Sequence, residues 1–187
     1  MPECIQNTIS DAEILSLYKM EGKREEAFNL IVQSYKVRMY WHIRRMVESH
    51  EDTDDILQTT FVKIWTYLPN FRGDSQLYTW IYRIATNEAI TFLNKKKISE
   101  SFSLDLVKNA QDKFKADEYF NGDAIQATLR NEILKLPPKQ RAVFTLRYFQ
   151  EMKYEEIAKI LNTSEGALKA SYHHAYMKIK NNLEDCF

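Results

Sequence analysis

Leu136-Pro137-Pro138-Lys139-Gln140-Arg141 opens the stretch that decides the fold. Arg147-Tyr148-Phe149, Tyr154-Glu155-Glu156-Ile157-Ala158-Lys159-Ile160-Leu161 and Gly166-Ala167-Leu168-Lys169-Ala170 follow it. Two consecutive prolines cannot continue a helix, but Pro138 fits the first turn of a new one, where its missing N–H costs nothing. From Arg141, the apolar residues Val143, Phe144, Leu146 and Tyr148 suit one short helix, and Tyr154 to Leu161 repeats the pattern at helical spacing. Asn162 tolerates the left-handed backbone of a tight turn. Thr163 or Ser164 can cap the helix that follows. In that helix Leu168, Tyr172, Ala175 and Ile179 share one face, and Gly166, Ala170, His173 and Met177 the other, with Lys169 and His174 on its flanks. Small residues let the backbone approach another surface, and Lys and His suit phosphates and base edges. The pattern is that of a helix–turn–helix. A helical hairpin that binds nothing would show the same spacing.

Composition agrees with an all-helical chain. The 187 residues suit one domain or two small ones, 44% are hydrophobic, and only four Gly and four Pro are present. Basic and acidic residues balance at 26 each, so there is no overall nucleic-acid signature. The charges are nevertheless segregated. Glu48, Glu51, Asp52, Asp54 and Asp55 fall together, and Lys95, Lys96 and Lys97 are consecutive. Cys4 and Cys186 lie at the two ends, without CxxC or Cys/His spacing, which argues against a metal site or a disulfide framework. No nucleophile–base pair or glycine-rich phosphate loop is present, so the expectation is a non-enzyme without metal or cofactor. No apolar run reaches membrane-spanning length, and the reading expects a soluble, cytoplasmic protein.

Upstream of the helix–turn–helix, Ser10 or Asp11 can cap a helix running to Met20, with Gly22 as its break. Residues 1 to about 9 read as a loose leader. Glu25 to about Ser49 reads as one long helix, with His42 on its apolar stripe as a hydrogen-bonded packing residue. Asp52 or Thr53 can cap the next helix, whose apolar face is Leu57, Phe61, Ile64, Trp65 and Leu68 and which ends at Pro69-Asn70. Phe71 to Ser75 is a loop. A further helix spans Gln76 to about Lys96, interleaving Tyr78, Tyr82, Arg83 and Asn87 with a core that includes Trp80. Aromatic, amide and cationic groups in this pattern suit single-stranded nucleic acid. Residues 98 to 123 carry six acids and three lysines without apolar periodicity, and read as an acidic linker.

At this point the residues resemble a known family. Asp54-Asp55-Ile-Leu-Gln58-Thr-Thr-Phe61-Val-Lys-Ile-Trp65 is similar to the polymerase-docking helix of region 2 in the extracytoplasmic-function (ECF) sigma factors of the sigma-70 family. Phe71-Arg72-Gly73-Asp74-Ser75 and Tyr78-Thr79-Trp80-Ile-Tyr82-Arg83-Ile-Ala85-Thr-Asn87 resemble its promoter-melting segment. Leu136 to Arg141, Tyr154 to Ala158 and Ser164 to Ala170 resemble region 4. The family commonly has Arg where this chain has Ser171 and His174, and Gly where it has Asn162.

The resemblance implies two small all-α domains, 1–97 and 124–187, on the linker 98–123. It implies a subunit that binds the clamp and flap surfaces of bacterial core RNA polymerase and directs promoter-specific initiation. Docking would fall to Asp54, Asp55, Gln58, Phe61 and Trp65. Reading of the −10 element would fall to Phe71, Arg72, Ser75, Tyr78, Thr79, Trp80, Tyr82, Arg83, Asn87 and Lys95 to Lys97 (Lys95, Lys96, Lys97). The −35 element would meet Ser164, Glu165, Gly166, Lys169, Ala170, His173, His174 and Lys178. An anti-sigma factor is the further partner implied, with no small-molecule substrate. A stand-alone helix–turn–helix regulator is the alternative; it would leave the acidic helix and the aromatic loop without a task.

Overall fold

The computed structural model describes residues 9–103 and 124–184. Among these residues the chain forms α1 (Asp11–Lys19), α2 (Arg24–Arg44), α3 (His50–Tyr67), α4 (Leu77–Ser103), α5 (Ala124–Leu134), α6 (Pro138–Phe144), α7 (Tyr154–Leu161) and α8 (Glu165–Glu184), and no strand. A 3-10 turn at Leu68–Asn70 closes α3, and a π-helical turn at Thr145–Phe149 extends α6. Residues 1–8, most of the acidic stretch and both cysteines fall outside the described residues.

The helix starts follow from local chemistry. Ser10 caps α1 reciprocally with Glu13: its hydroxyl accepts from the Glu13 N–H, and the Glu13 carboxylate accepts from the Ser10 N–H at 2.8 Å. Gly22 then turns the chain at φ +73°, where a Cβ would be strained. Pro138 occupies the first turn of α6, as its missing N–H allows. Asn162 ends α7 in the left-handed conformation at φ 49°, and Ser164 accepts from the Ala167 N–H at the start of α8.

Four boundaries differ from the sequence reading. The long helix expected to Ser49 ends at Arg44. The N–H groups of Met46 and Val47 both turn back to the Ile43 carbonyl, and both side chains enter the core. Burying them bends the chain off the helical path, and the Arg44 guanidinium stabilises the bend through the Val47 and Glu48 carbonyls, at 3.1 and 2.6 Å. Because the chain turns early, α3 is capped by Ser49, whose hydroxyl accepts from the Asp52 N–H at 3.0 Å, and Thr53 is buried. Downstream, α4 runs through Ser103, so the acidic stretch begins inside a helix. The segment expected as one short helix from Arg141 to Tyr148 changes from α to π at Thr145.

The core runs through both halves of the chain. Ile14, Ile31, Met39, Ile43, Ile64, Leu77, Ile81 and Ala85 belong to the same buried cluster as Leu146, Met152, Ile157, Ile160 and Leu168. The helix pairs α1–α2, α2–α3 and α3–α4 build its N-terminal part, and α4 packs against α6 and α7. A smaller cluster of Ile133, Leu136, Phe144, Ala175 and Ile179 holds α5, α6 and α8 together.

Candidate nucleic-acid and partner interfaces

The first surface lies along α3. Asp54, Asp55 and Gln58 are exposed on it. The helix turns Ile56, Leu57, Thr60 and Ile64 into the core at spacings of three and four. That leaves Trp65 46% exposed, a correction to its expected place on the buried face. Its ring stands edge-on to Phe28 of α2 at 5.0 Å. Phe28, Val32, Lys36, Leu57, Gln58, Phe61, Val62 and Trp65 line a shallow and mostly apolar groove of about 450 Å³. An apolar groove edged by carboxylates is suited to a partner surface that carries both cations and apolar side chains. Phe28, Val32 and Lys36 were missed by sequence reasoning. Their i, i+4, i+8 spacing on α2 was the available signal.

The second surface is α4 with the loop before it. Gly73 shapes that loop at φ +81°. Phe71 packs tilted on Trp80 at 5.2 Å. Arg72, Arg83 and Asn87 are exposed, and Ser75 and Tyr78 are half-buried. A cleft of about 470 Å³ opens between Asn70, Phe71, Arg72, Asp74, Ser75, Trp80 and Arg83, and Lys159 of α7 lines it too. Thr79, Trp80 and Tyr82 are buried, at 4%, 7% and 4% exposure. The Tyr82 hydroxyl donates to Gln150 Oε1 at 2.6 Å. Burial pushes that hydroxyl up to about 12, against the pull of Arg38 and Arg45. Below Tyr82 lies His42, edge-on at 5.0 Å. At the far end of α4, Lys95 and Lys97 are exposed, while Lys96 pairs with Asp52 at 3.2 Å.

The third surface is α8. Leu168, Ala175 and Ile179 are buried, and Glu165, Gly166, Lys169, Ala170, His173, His174 and Lys178 are all exposed. Ser164 is exposed as well and caps the helix. Lys169 lies 3.7 Å from Glu165 and 5.6 Å above the Tyr154 ring, which holds its ammonium on the outer face. Arg141, quoted above for its motif, is not a surface group. It donates to the Leu134 carbonyl, to Leu136 at 3.1 Å and to Met46 at 2.5 Å. Burial lowers its pKa to about 10, against the stabilising charge of Glu48.

Among the described residues, no group of three His, Cys, Asp or Glu side chains is placed to hold a metal ion. No described helix is long and apolar enough to cross a membrane.

Comparison with known proteins gives the family. Residues 31–98 match the family model of Sigma-70 region 2, and residues 126–179 that of Sigma-70, region 4. The RNA polymerase sigma-H factor of Pseudomonas aeruginosa is 30% identical over 184 residues, covering 93% of this chain and 94% of that protein. The ECF RNA polymerase sigma factor SigW of Bacillus subtilis is 31% identical over 170 residues, covering 86% of this chain and 91% of its own. The chain belongs to the ECF sigma factors of the sigma-70 family. Its fold is shared with the sigma factor RpoE of Bartonella quintana, solved with the anti-sigma factor NepR (TM-score 0.70, 20% identity, 85% of this chain and 98% of that one). It is also shared with CnrH, solved with the cytosolic domain of CnrY (TM-score 0.64, 22% identity, 94% and 95%).

Proposed function

We propose that this chain docks on core RNA polymerase through α3, reads and melts the −10 element with α4 and its preceding loop, and places α8 in the major groove of the −35 element. The observation that carries the reading is the exposure of Asp54, Asp55 and Gln58 beside an apolar groove, on the same chain as an exposed, small and basic face of α8. The carboxylates register a basic partner surface and speed the encounter, while the groove supplies the area that holds it. On α8, Gly166 and Ala170 allow close approach to the duplex. Lys169, His173, His174 and Lys178 supply donors for base edges and phosphates.

Melting a promoter costs roughly a few kcal/mol for each base taken from the stack. The cleft walled by Phe71, Ser75 and Trp80 offers an extruded base an apolar and partly polar wall. Arg83 and Asn87 supply donors at its edge, and Lys95 and Lys97 follow the backbone. The acidic stretch after α4 is suited to a basic channel of the enzyme. An anti-sigma factor as regulatory partner completes the reading, and no catalytic step belongs to this chain.

Run-off transcription tests it. Core polymerase from the native host is supplied with genomic promoter fragments, with and without the protein. Defined transcripts that require the protein support initiation, and their start sites give both promoter elements. Neither transcripts nor co-elution with core enzyme would overturn the reading in favour of a stand-alone regulator.

A further inference from the structure

The three assigned surfaces leave one cavity without a task. It opens between the end of α2, α5 and the π-helical turn after α6, and holds about 530 Å³. That volume is in the range of small-molecule sites. The charge around it is of one sign. Arg44, Arg45 and Arg130 line it, and none of the described residues lining it is acidic. Two of the three guanidinium groups are fixed by backbone oxygens. Arg44 donates to the Val47 and Glu48 carbonyls at 3.1 and 2.6 Å, and Arg130 to the Glu48 carbonyl at 3.1 Å. These bonds also screen the carbonyls at the exit of α2, which would otherwise repel an anion. Arg45 is held differently. Its guanidinium lies 4.4 Å over the Phe149 ring, and among the described residues neither a carboxylate nor a hydrogen-bond acceptor meets it. Burial lowers its pKa, with Tyr82 opposing the shift. A half-buried cation with donors to spare and no counter-charge is suited to an anion from outside the chain.

The other walls are aromatic. Tyr176, Tyr172, Phe144 and Tyr148 form a pile of near-parallel rings, with successive centroids 6.4, 5.7 and 5.2 Å apart and tilts of 24°, 15° and 16°. The pile ends at Tyr148, which is 49% exposed and lines the cavity. Trp41, 39% exposed, lines it from α2. A flat ring that enters here finds stacking surface already in place. Gln126, in the first turn of α5, adds an amide that can donate to and accept from the edge of such a ring. Aromatic walls select a planar occupant, and the arginines require it to be an anion.

We propose that this cavity is a nucleotide site: Tyr148 and Trp41 receive the nucleobase, and Arg45 and Arg130 receive the phosphates. Arginine suits that task, because its planar fork can pair with two phosphate oxygens at once. The same chemistry is presented by a free nucleotide and by one unit of a single strand. None of these residues belongs to α3, to α4 or to the outer face of α8, so the site does not rest on the function proposed above. Its walls come from α2, α5 and the π-helical turn, which are distant in sequence. An occupant therefore touches separate parts of the folded chain and stabilises the fold by mass action.

The test titrates the full chain with ATP, GTP, CTP and UTP by isothermal calorimetry. The free nucleosides and inorganic tripolyphosphate serve as the two halves of the ligand. We expect one saturable site per chain for at least one triphosphate, with each half of that ligand bound about tenfold more weakly or worse. The same triphosphate should raise the thermal unfolding temperature. Arg45→Gln and Trp41→Leu should each weaken binding about tenfold. Arg45→Lys, which keeps the charge and loses the fork, should recover part of the loss. Far-UV circular dichroism checks that each variant is folded. Lys169→Ala, a lost cation on the far face of α8, should leave the affinity unchanged. A short single-stranded DNA of random sequence separates the two sources. Tighter binding of the strand, with the same dependence on Arg45 and Trp41, assigns the site to nucleic acid, and tighter binding of a triphosphate assigns it to free nucleotide. Absence of saturable binding by the wild-type chain to any of these probes overturns the site without recourse to a variant. Tripolyphosphate bound as tightly as the triphosphates overturns it as well, since the aromatic walls would then play no part. So does an affinity that Lys169→Ala lowers as much as Arg45→Gln, because the binding would then report overall charge. None of these measurements involves polymerase or promoter, so failure of the site is separable from failure of the initiation reading.

Discussion

The imidazole of His42 on α2 and the hydroxyl of Thr86 on α4 meet at 2.9 Å through Nε2, with both side chains fully buried. The contact ties the helix behind the core to the helix assigned to DNA. His42 Nδ1 has no hydrogen-bond partner, and the Arg45 guanidinium is close enough to oppose a second proton. Burial first, and Arg45 second, push its pKa down to about 3. The folded state therefore refuses a proton that the unfolded state takes near the ordinary histidine value of about 6.5. His42 contributes full stability above that value and loses it progressively as pH falls toward 3. The wild-type protein should lose up to about 1.4 kcal/mol per pH unit through this group in that window. His42→Gln, neutral throughout and able to reach Thr86, should show a shallower slope in urea unfolding between pH 6.5 and 4, and the two slopes should agree above pH 7. Equal slopes in acid would mean that His42 takes its proton inside the fold.

Asp55→Lys combined with Gln58→Ala should weaken binding to core polymerase by roughly 100-fold or more, because a cation then faces a cationic partner. Both positions are exposed on α3, so far-UV circular dichroism should be unchanged. Co-elution with core enzyme on gel filtration reads the result, and retained binding would remove α3 from the docking surface.

The Lys169 ammonium is the first cation on the outer face of α8, held near Glu165 and above Tyr154. Lys169→Ala should lower affinity for −35 duplex DNA and reduce the slope of log affinity against log salt by about one. Fluorescence anisotropy over a salt series measures both. An unchanged slope would mean that Lys169 does not face a phosphate or base.

Phe144 centres the smaller core. It is 2% exposed, and its ring stacks between Tyr148 at 5.2 Å and Tyr172 at 5.7 Å, joining the end of α6 to α8. Phe144→Ala should destabilise this group of helices by about 3–5 kcal/mol. Chemical denaturation should resolve that loss as an earlier transition of the C-terminal helices, with −35 binding lost alongside it. A cost below about 1 kcal/mol would mean that the site collapses around the missing ring.

What the residues determined by themselves was local. Pro138 at a helix start, Asn162 in a left-handed turn, and Leu168, Ala175 and Ile179 on one face of α8 follow from backbone sterics and helical period, and each was legible before the fold. The family was legible for the same reason, since its motifs are short contiguous strings. Three features were decided only by tertiary structure. The end of α2 at Arg44 depends on Met46 and Val47 finding the core. The exposure of Trp65 depends on which side of α3 meets α2 and α4. The hydrogen bond that engages the Tyr82 hydroxyl is made with Gln150, 68 positions further along the chain. Periodicity states which face of a helix is apolar, but not what covers it. That choice is made by contacts between distant residues, whose formation depends on how the whole chain closes.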